Sequence, residues 1–168
     1  MAIEPSEMSQ TEFMDTFADV FEHSPWIAEN VFDTGLETRH DSAGGLHEAM
    51  CNQIRRASVE DKLELLRQHP ELAGSTAPED LTHSSHGEQK RSGLDRCSEA
   101  ELAEFKQLNA AYREKFGFPF IMAIKGYQPK QIIDVFRQRL QHTPDEELQT
   151  ALTQVMRIGL FRLQAIFE

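Results

Sequence analysis

Apolar residues recur along this chain at helical spacing, and polar caps stand ahead of most of the recurrences. Phe13, Phe17, Val20 and Phe21 fall at i, i+4, i+7 and i+8, one face of a helix, with Ser9 and Glu12 three apart as a capping box. Ser24-Pro25 opens a second short helix, with proline at the first helical position, Trp26, Ile27 and Val31 on the apolar side, and Gly35 as the stop. Residues 33–45 are polar, hold three glycines and read as a loop. A third helix is expected from about Leu46 to Ile54, with Met50 on the same face. Ser58 caps a fourth, with Asp61 three residues on and Leu63 and Leu66 turned inward. It stops at His69-Pro70, because the residue before a proline is pushed out of the α region.

Residues 70–84 carry little periodicity, with Leu72 and Leu81 as the large apolar anchors. Ser85-His86-Gly87-Glu88 begins the next helix, which ends near Gly93. Ser98 and Glu101 form another capping box, followed by a helical face of Leu102, Phe105, Leu108, Asn109, Tyr112 and Phe116 that Gly117 ends. The run FGFPFIMAIKG, residues 116–126, is apolar almost throughout and has no helical period, which predicts a buried extended segment near 117–125. Pro129 opens a helix carrying Ile132, Ile133, Phe136 and Leu140. A capping box at Thr143 and Glu146 heads the last helix, whose apolar positions are Leu148, Leu152, Val155, Met156, Gly159, Leu163 and Phe167. No strand pattern alternates and no repeat is visible. The prediction is an all-α chain of about seven or eight helices, a single compact domain over 1–168 with a loose N-terminal segment at 1–8.

Composition narrows the function classes. The 168 residues, 39% hydrophobic and 27% charged, suit a soluble globular chain that needs no disulfide or metal to fold. The formal net charge of −11 repels phosphate backbones, so no nucleic-acid partner is expected, and an anionic substrate would need a local cation in its pocket. Cys51 and Cys97 form no metal-ligand or disulfide pattern, and the histidines form no HExxH or paired spacing, so no metal is expected. No apolar run reaches the length of a membrane span, MAIEPSEMSQ lacks a signal-peptide core, and AIFE is not the peroxisomal Ser-Lys-Leu. A cytoplasmic protein without membrane contact is the expectation.

Chemistry is to be sought in the irregular places: HPELAG at 69–74, SHGEQ at 85–89, and FPFIMAIKG. His69 has two readings. A cation ending a helix stabilises its C-terminus by several tenths of a kcal/mol, and histidine is also the side chain best suited to proton transfer near neutral pH. Ser85 and Glu88 are spaced as a capping box, a structural account that competes with a functional one. Arg162, in IGLFRLQAIF, either snorkels to solvent or faces inward and needs a carboxylate partner.

The ordered combination of HPELAG, SHGEQ with SGL, LNAAYREKFGFPFIMAIKG and IGLFRL, with SPW at 24–26, resembles the 2-oxo-4-hydroxy-4-carboxy-5-ureidoimidazoline (OHCU) decarboxylase family over about residues 10–166. The resemblance implies an all-helical, often dimeric enzyme that completes urate-to-allantoin conversion without metal or organic cofactor. It implies His69 as the proton donor, with Glu88 orienting it or the substrate hydroxyl. It implies substrate contacts from Pro70, from Ser85, His86, Gly87, Glu88 and Gln89, and from the Phe120, Ile121, Met122, Ala123 and Ile124 backbone. Arg162 is the implied carboxylate partner. Departures are Ser92 where a small residue such as Ala is common, the basic pair Lys90-Arg91, and Gly87 where a helix former is frequent.

These roles require His69, Glu88 and Arg162 to converge on one small enclosed space. The expected activity is cofactor-free decarboxylation of OHCU to S-allantoin by a cytoplasmic homodimer. Two other readings are a non-enzymatic helical interaction module, and a hydrolase or isomerase acting on another ureido compound.

Overall fold

A computed structural model describes residues 2–73 and 83–168, except for the side chains at 83, 84 and 86. Eight α-helices occupy the described residues, with no strand among them: α1 (Gln10–Phe17), α2 (Trp26–Thr34), α3 (Ala43–Arg56), α4 (Val59–Arg67), α5 (His83–Arg91), α6 (Glu99–Phe116), α7 (Pro129–Arg139) and α8 (Pro144–Phe167). The chain is all-α. It divides into two compact units, one of residues 1–68 with 156–168 and the other of 69–155.

The capping chemistry sets the helix starts. Ser9 Oγ accepts from the Glu12 N–H and the Glu12 carboxylate accepts from the Ser9 N–H, and these bonds hold the Glu12 carboxyl below its usual range. Ser58 Oγ accepts from Asp61, and Ser98 and Thr143 complete boxes with Glu101 and Glu146. Residues 1–8, expected to be loose, instead contain a 3-10 turn at Pro5–Glu7, where Ser6 donates from its N–H and its hydroxyl to the Asp41 carboxylate.

Several boundaries differ from the expectation. α1 ends at Phe17, yet Val20 and Phe21 are buried. The chain leaves the helix in tight turns, with His23 at φ 54°, and the apolar periodicity outlasts the helical backbone. The expected loop at 33–45 is mostly structured. It holds the end of α2, a 3-10 turn at Thr38–His40, and the first turn of α3. Gly44 and Gly45 lie inside that turn, capped by Ser42 Oγ accepting from Gly45 N–H. A Cβ at Gly45 would collide with the Arg39 carbonyl, so this glycine serves a close backbone approach and not a break. On α4 the buried pair is Leu65 and Leu66, with Leu63 half-buried, and on α6 Leu102 is exposed. The expected anchor Leu81 lies outside the described residues.

The first unit is built on rings. Phe13 stands 4.9 Å from Phe17 and 5.6 Å from Phe32, and Phe17 stacks on Phe167 at 6.0 Å. Gly159 lets α8 approach the Phe21 ring, which an added Cβ would meet at 2.5 Å. Tyr112 forms the centre of the second unit, with Phe116, Phe118, Phe120 and Phe136 packed around its ring. Phe120 stacks flat on Phe136, centroids 3.8 Å apart. Each fully buried ring contributes about 1.5–3 kcal/mol relative to exposure.

The two neighbouring glycines of α3 should respond oppositely to alanine. Gly45→Ala is expected to lower unfolding free energy by about 1–3 kcal/mol, since backbone must move. Gly44→Ala, where an added Cβ meets nothing within 4 Å, is expected to raise it by up to about 1 kcal/mol. Urea unfolding of both variants checks the pair, and equal effects would refute the close-approach account.

Candidate active site

α4 ends at Arg67 with Gln68 as its C-cap, and half-buried His69 and Pro70 follow outside the helix. The chain from Glu71 to Ala73 lies outside the helices, and side chains meet several of its backbone groups. Gln89, on α5, donates from Nε2 to the Glu71 carbonyl at 3.3 Å and accepts at Oε1 from the Ala73 N–H at 3.2 Å. Asn109, on α6, donates to the Leu72 carbonyl at 3.1 Å. Arg113, one turn further, donates from Nε to the Glu71 carboxylate at 3.1 Å. Ala73 takes the left-handed φ of 47°, a strained conformation for alanine that these bonds maintain.

α5 begins at His83, two residues earlier than expected, so Ser85 lies within the helix and not at its cap. The Ser85–Glu88 spacing is therefore not a capping box. Ser85 is buried, while Gly87, Glu88 and Gln89 are half-buried. The His86 side chain lies outside the described residues. Just past the helix, Ser92 donates from Oγ to the Ile124 carbonyl at 2.8 Å. This bond ties the end of α5 to the extended segment.

Phe118 to Ile124 are buried and neither helical nor strand-paired. Three side chains fix this stretch, Ser92 among them. Arg139 donates to the Ile121 carbonyl at 2.5 Å, Gln154 accepts from the Ala123 N–H at 2.9 Å, and Ser92 holds Ile124. Arg139 in turn meets Glu147, which is fully buried. Glu147 Oε1 accepts from Arg139 Nε at 2.7 Å and from the Tyr112 hydroxyl at 2.6 Å, and Oε2 lies 2.8 Å from His142 Nδ1. Burial first, then the bond to Glu147, pushes the Tyr112 phenol far up, so it stays protonated and donating.

The second unit therefore gathers three of the expected groups: the His69 loop is fixed by α5, and α5 is tied to the 120–124 segment. Arg162 belongs to the first unit. It is buried, so it does not snorkel, and its fork is engaged there: one terminal nitrogen donates to Glu22 Oε1 at 2.6 Å and the other to the Val20 carbonyl at 2.9 Å. Gln89, expected to bond substrate, uses both ends of its amide on the loop.

Glu22, Asn109, Arg139, Glu147 and Ser92 were missed by sequence reasoning as fixing residues. Arg139 follows Ile132 and Phe136 at i+7 and i+3, a spacing that placed it on an apolar face. A cavity of about 680 Å3 is lined by Glu71, Ala73, Lys106, Asn109 and Arg113 among others, beside the fixed loop.

Neither cysteine is set up as a nucleophile. Burial pushes the Cys51 thiol up to about 11, so it is protonated at neutral pH, and burial raises Cys97 as well. Among the described residues no group of three or more His, Cys, Asp or Glu stands ready to hold a metal ion, and no helix is long and apolar enough to cross a membrane.

Fold and site define an all-α protein with a histidine-bearing loop held rigidly by neighbouring side chains, a fixed polar edge of the kind small-molecule enzymes use. Residues 6–164 match the family model described as OHCU decarboxylase, and the chain belongs to that family. A 2-oxo-4-hydroxy-4-carboxy-5-ureidoimidazoline decarboxylase of Halalkalicoccus jeotgali is 40% identical, over 96% of this chain and 88% of that one. Its counterpart in Haloferax volcanii is 36% identical, over 97% and 94%. Among solved structures, an (S)-allantoin synthase superposes with a TM-score of 0.76 at 29% identity, covering 97% of this chain. This chain spans about half of that protein's length, 52%.

Gln89→Leu removes both bonds to the loop at once. Amide exchange at Ala73 is expected to accelerate by about tenfold, the equivalent of the one bond its N–H loses. Unchanged protection there would show that Gln89 does not hold the loop.

Proposed function

We propose that this protein decarboxylates OHCU to S-allantoin, the closing step of urate-to-allantoin conversion, without metal or organic cofactor. Family membership supports the reaction. The observation that carries the site is the clamped loop behind His69, because a proton-transfer group needs a fixed position more than it needs special chemistry.

The substrate's name dictates the electron flow. Carboxylate and hydroxyl share one tetrahedral ring carbon, and the neighbouring ureido-bearing carbon carries the ring C=N bond. When the bond to CO2 breaks, its electron pair moves toward that double bond, so the substrate is its own electron sink. The ring nitrogen gains a proton, the hydroxyl loses its proton as its carbon becomes a carbonyl, and the ureido-bearing carbon gains one. Adding that last proton to one face sets the S configuration.

His69 is assigned the proton handling between the hydroxyl and the ureido-bearing carbon. Glu88 orients the imidazole or the hydroxyl. Ser85, His86 and Gly87 of α5, Pro70, and the backbone of Phe120 to Ile124 bind the ring and ureido groups. Gln89 binds substrate as well, since each end of its amide spends one bond on the loop and keeps a second donor or acceptor position. The role of Arg162 as carboxylate partner is proposed on the resemblance alone. Glu22 already balances its charge, so a substrate carboxylate would share the guanidinium with Glu22 or displace it. A homodimer, on the same family grounds, and a cytoplasmic setting, the default read from the sequence, complete the reading.

His69→Asn is expected to keep the helical far-ultraviolet spectrum while lowering turnover by about 10²–10⁴-fold. Freshly generated OHCU followed by circular dichroism separates enzymatic S-allantoin from the racemic spontaneous product. Near-normal enantioselective turnover by this variant would remove His69 from the mechanism. Arg162→Lys loses the planar fork, and a rise in KM of about tenfold is expected. An unchanged KM with a lower Tm would make Arg162 a structural partner of Glu22 only.

A further inference from the structure

The extended segment poses a physical problem that its sequence does not solve. Its residues are buried and, among the described residues, its backbone joins no helix or strand, so the polar groups it keeps inside call for a side chain or a ligand, although the Ile124 carbonyl also accepts from the Tyr127 N–H. Ser92 and Gln154 meet two of these needs with neutral groups near its end. The third is met by a charge. Arg139, only 5% exposed, donates to the Ile121 carbonyl and lays its guanidinium over the Phe120 ring at 4.3 Å. It grips two consecutive residues, one by backbone and one by ring. Phe120 is thereby sandwiched between Arg139 and Phe136.

A buried arginine is poorly explained by stability. Removing two charges from water costs several kcal/mol per ion, and apolar packing of the same volume often serves folding as well or better. Here the charge is answered by Glu147, placed in the first turn of α8 where the helix dipole favours a carboxylate. Tyr112 and His142 complete the carboxylate's shell. The result is a relay of fixed contacts, from the α8 N-terminus through Glu147 and Arg139 to the Ile121 carbonyl. A directional fork spends its geometry on one peptide unit in the middle of 120–124.

We propose that Arg139, oriented by Glu147, is a positioning residue for the reaction, fixing the Ile121 peptide so that the 120–124 backbone presents its remaining groups to the substrate. This rests on the assignment of that segment to substrate binding under the proposed function. Arg139 acts through the segment and touches no reacting atom.

Three variants test it. Arg139→Lys keeps the charge but loses the fork, and it should raise KM about tenfold while kcat changes by less than about threefold. The double variant Arg139→Met with Glu147→Gln leaves no lone buried charge, so it guards against simple misfolding, and the same KM rise is expected. Tyr112→Phe removes a bond to Glu147 and none to the segment. It should lower Tm while KM stays at the wild-type value. Peptide-level hydrogen exchange over 118–125 should quicken in both Arg139 variants and not in Tyr112→Phe. Both Arg139 variants with KM within about twofold of wild type would overturn the proposal. So would a KM rise in Tyr112→Phe that matches theirs, which would mean general loosening. A wild-type protein that turns over no OHCU overturns the proposed function and the catalytic part of this inference together. The exchange result then still decides whether Arg139 fixes the segment.

Discussion

The second unit depends on one carboxylate with no exposure to water. Glu147 and Arg139 are both buried and pair with each other, so each supplies the opposite charge that the other's burial demands. Tyr112 adds the hydroxyl donor, and its ring is the hub on which four phenylalanines pack. Polar and apolar cores are thus joined at a single residue. Because directional bonds admit few arrangements, this knot specifies how α6, α7 and the start of α8 meet, where apolar packing alone would tolerate several solutions.

The same logic runs through the candidate site. Both of its irregular stretches, the loop after α4 and the segment after α6, lie outside the helices and receive side-chain bonds. Gln89 and Asn109 serve the first, and Ser92, Gln154 and Arg139 the second. Backbone freed from helices and strands can be shaped around a small molecule, and a rigid scaffold keeps that shape from drifting. The first unit solves a related problem at Arg162, whose fork is shared between a carboxylate and a carbonyl of the turn that follows α1.

Local signals were legible in the sequence and long-range ones were not. The boxes at Ser9, Ser98 and Thr143 depend on residues three apart, and all three form as expected. The glycines at 44 and 45 were misread as loop, because the carbonyl that demands Gly45 belongs to a turn whose path the local pattern does not reveal. Ser85 and Glu88 mimicked a helix start because a capping pattern cannot report that the helix has already begun. Arg162 was recognisable as a charge on an apolar face, but its partner lies 140 residues earlier, and nothing in one sequence pairs them. Arg139 and Glu147 did leave a trace. Each occupies the apolar stripe of its own helix, Arg139 with Ile132 and Phe136, and Glu147 with Ala151 and Val155. Opposite charges on two inward faces are a sign that they seek each other.

The layout of α5 has a consequence for how this chain can change over time. Gln89 reaches the loop, buried Ser85 lies one turn before it, and Ser92 reaches the far segment, so their directions are set by counting residues around one short helix. Swapping the exposed Lys90 or Arg91 leaves that count intact. Inserting or deleting one residue turns everything beyond it by about 100°, parting the loop from the segment in a single step. Descendants of this gene are therefore free to vary the letters on that helix's wet side, while its length is effectively frozen.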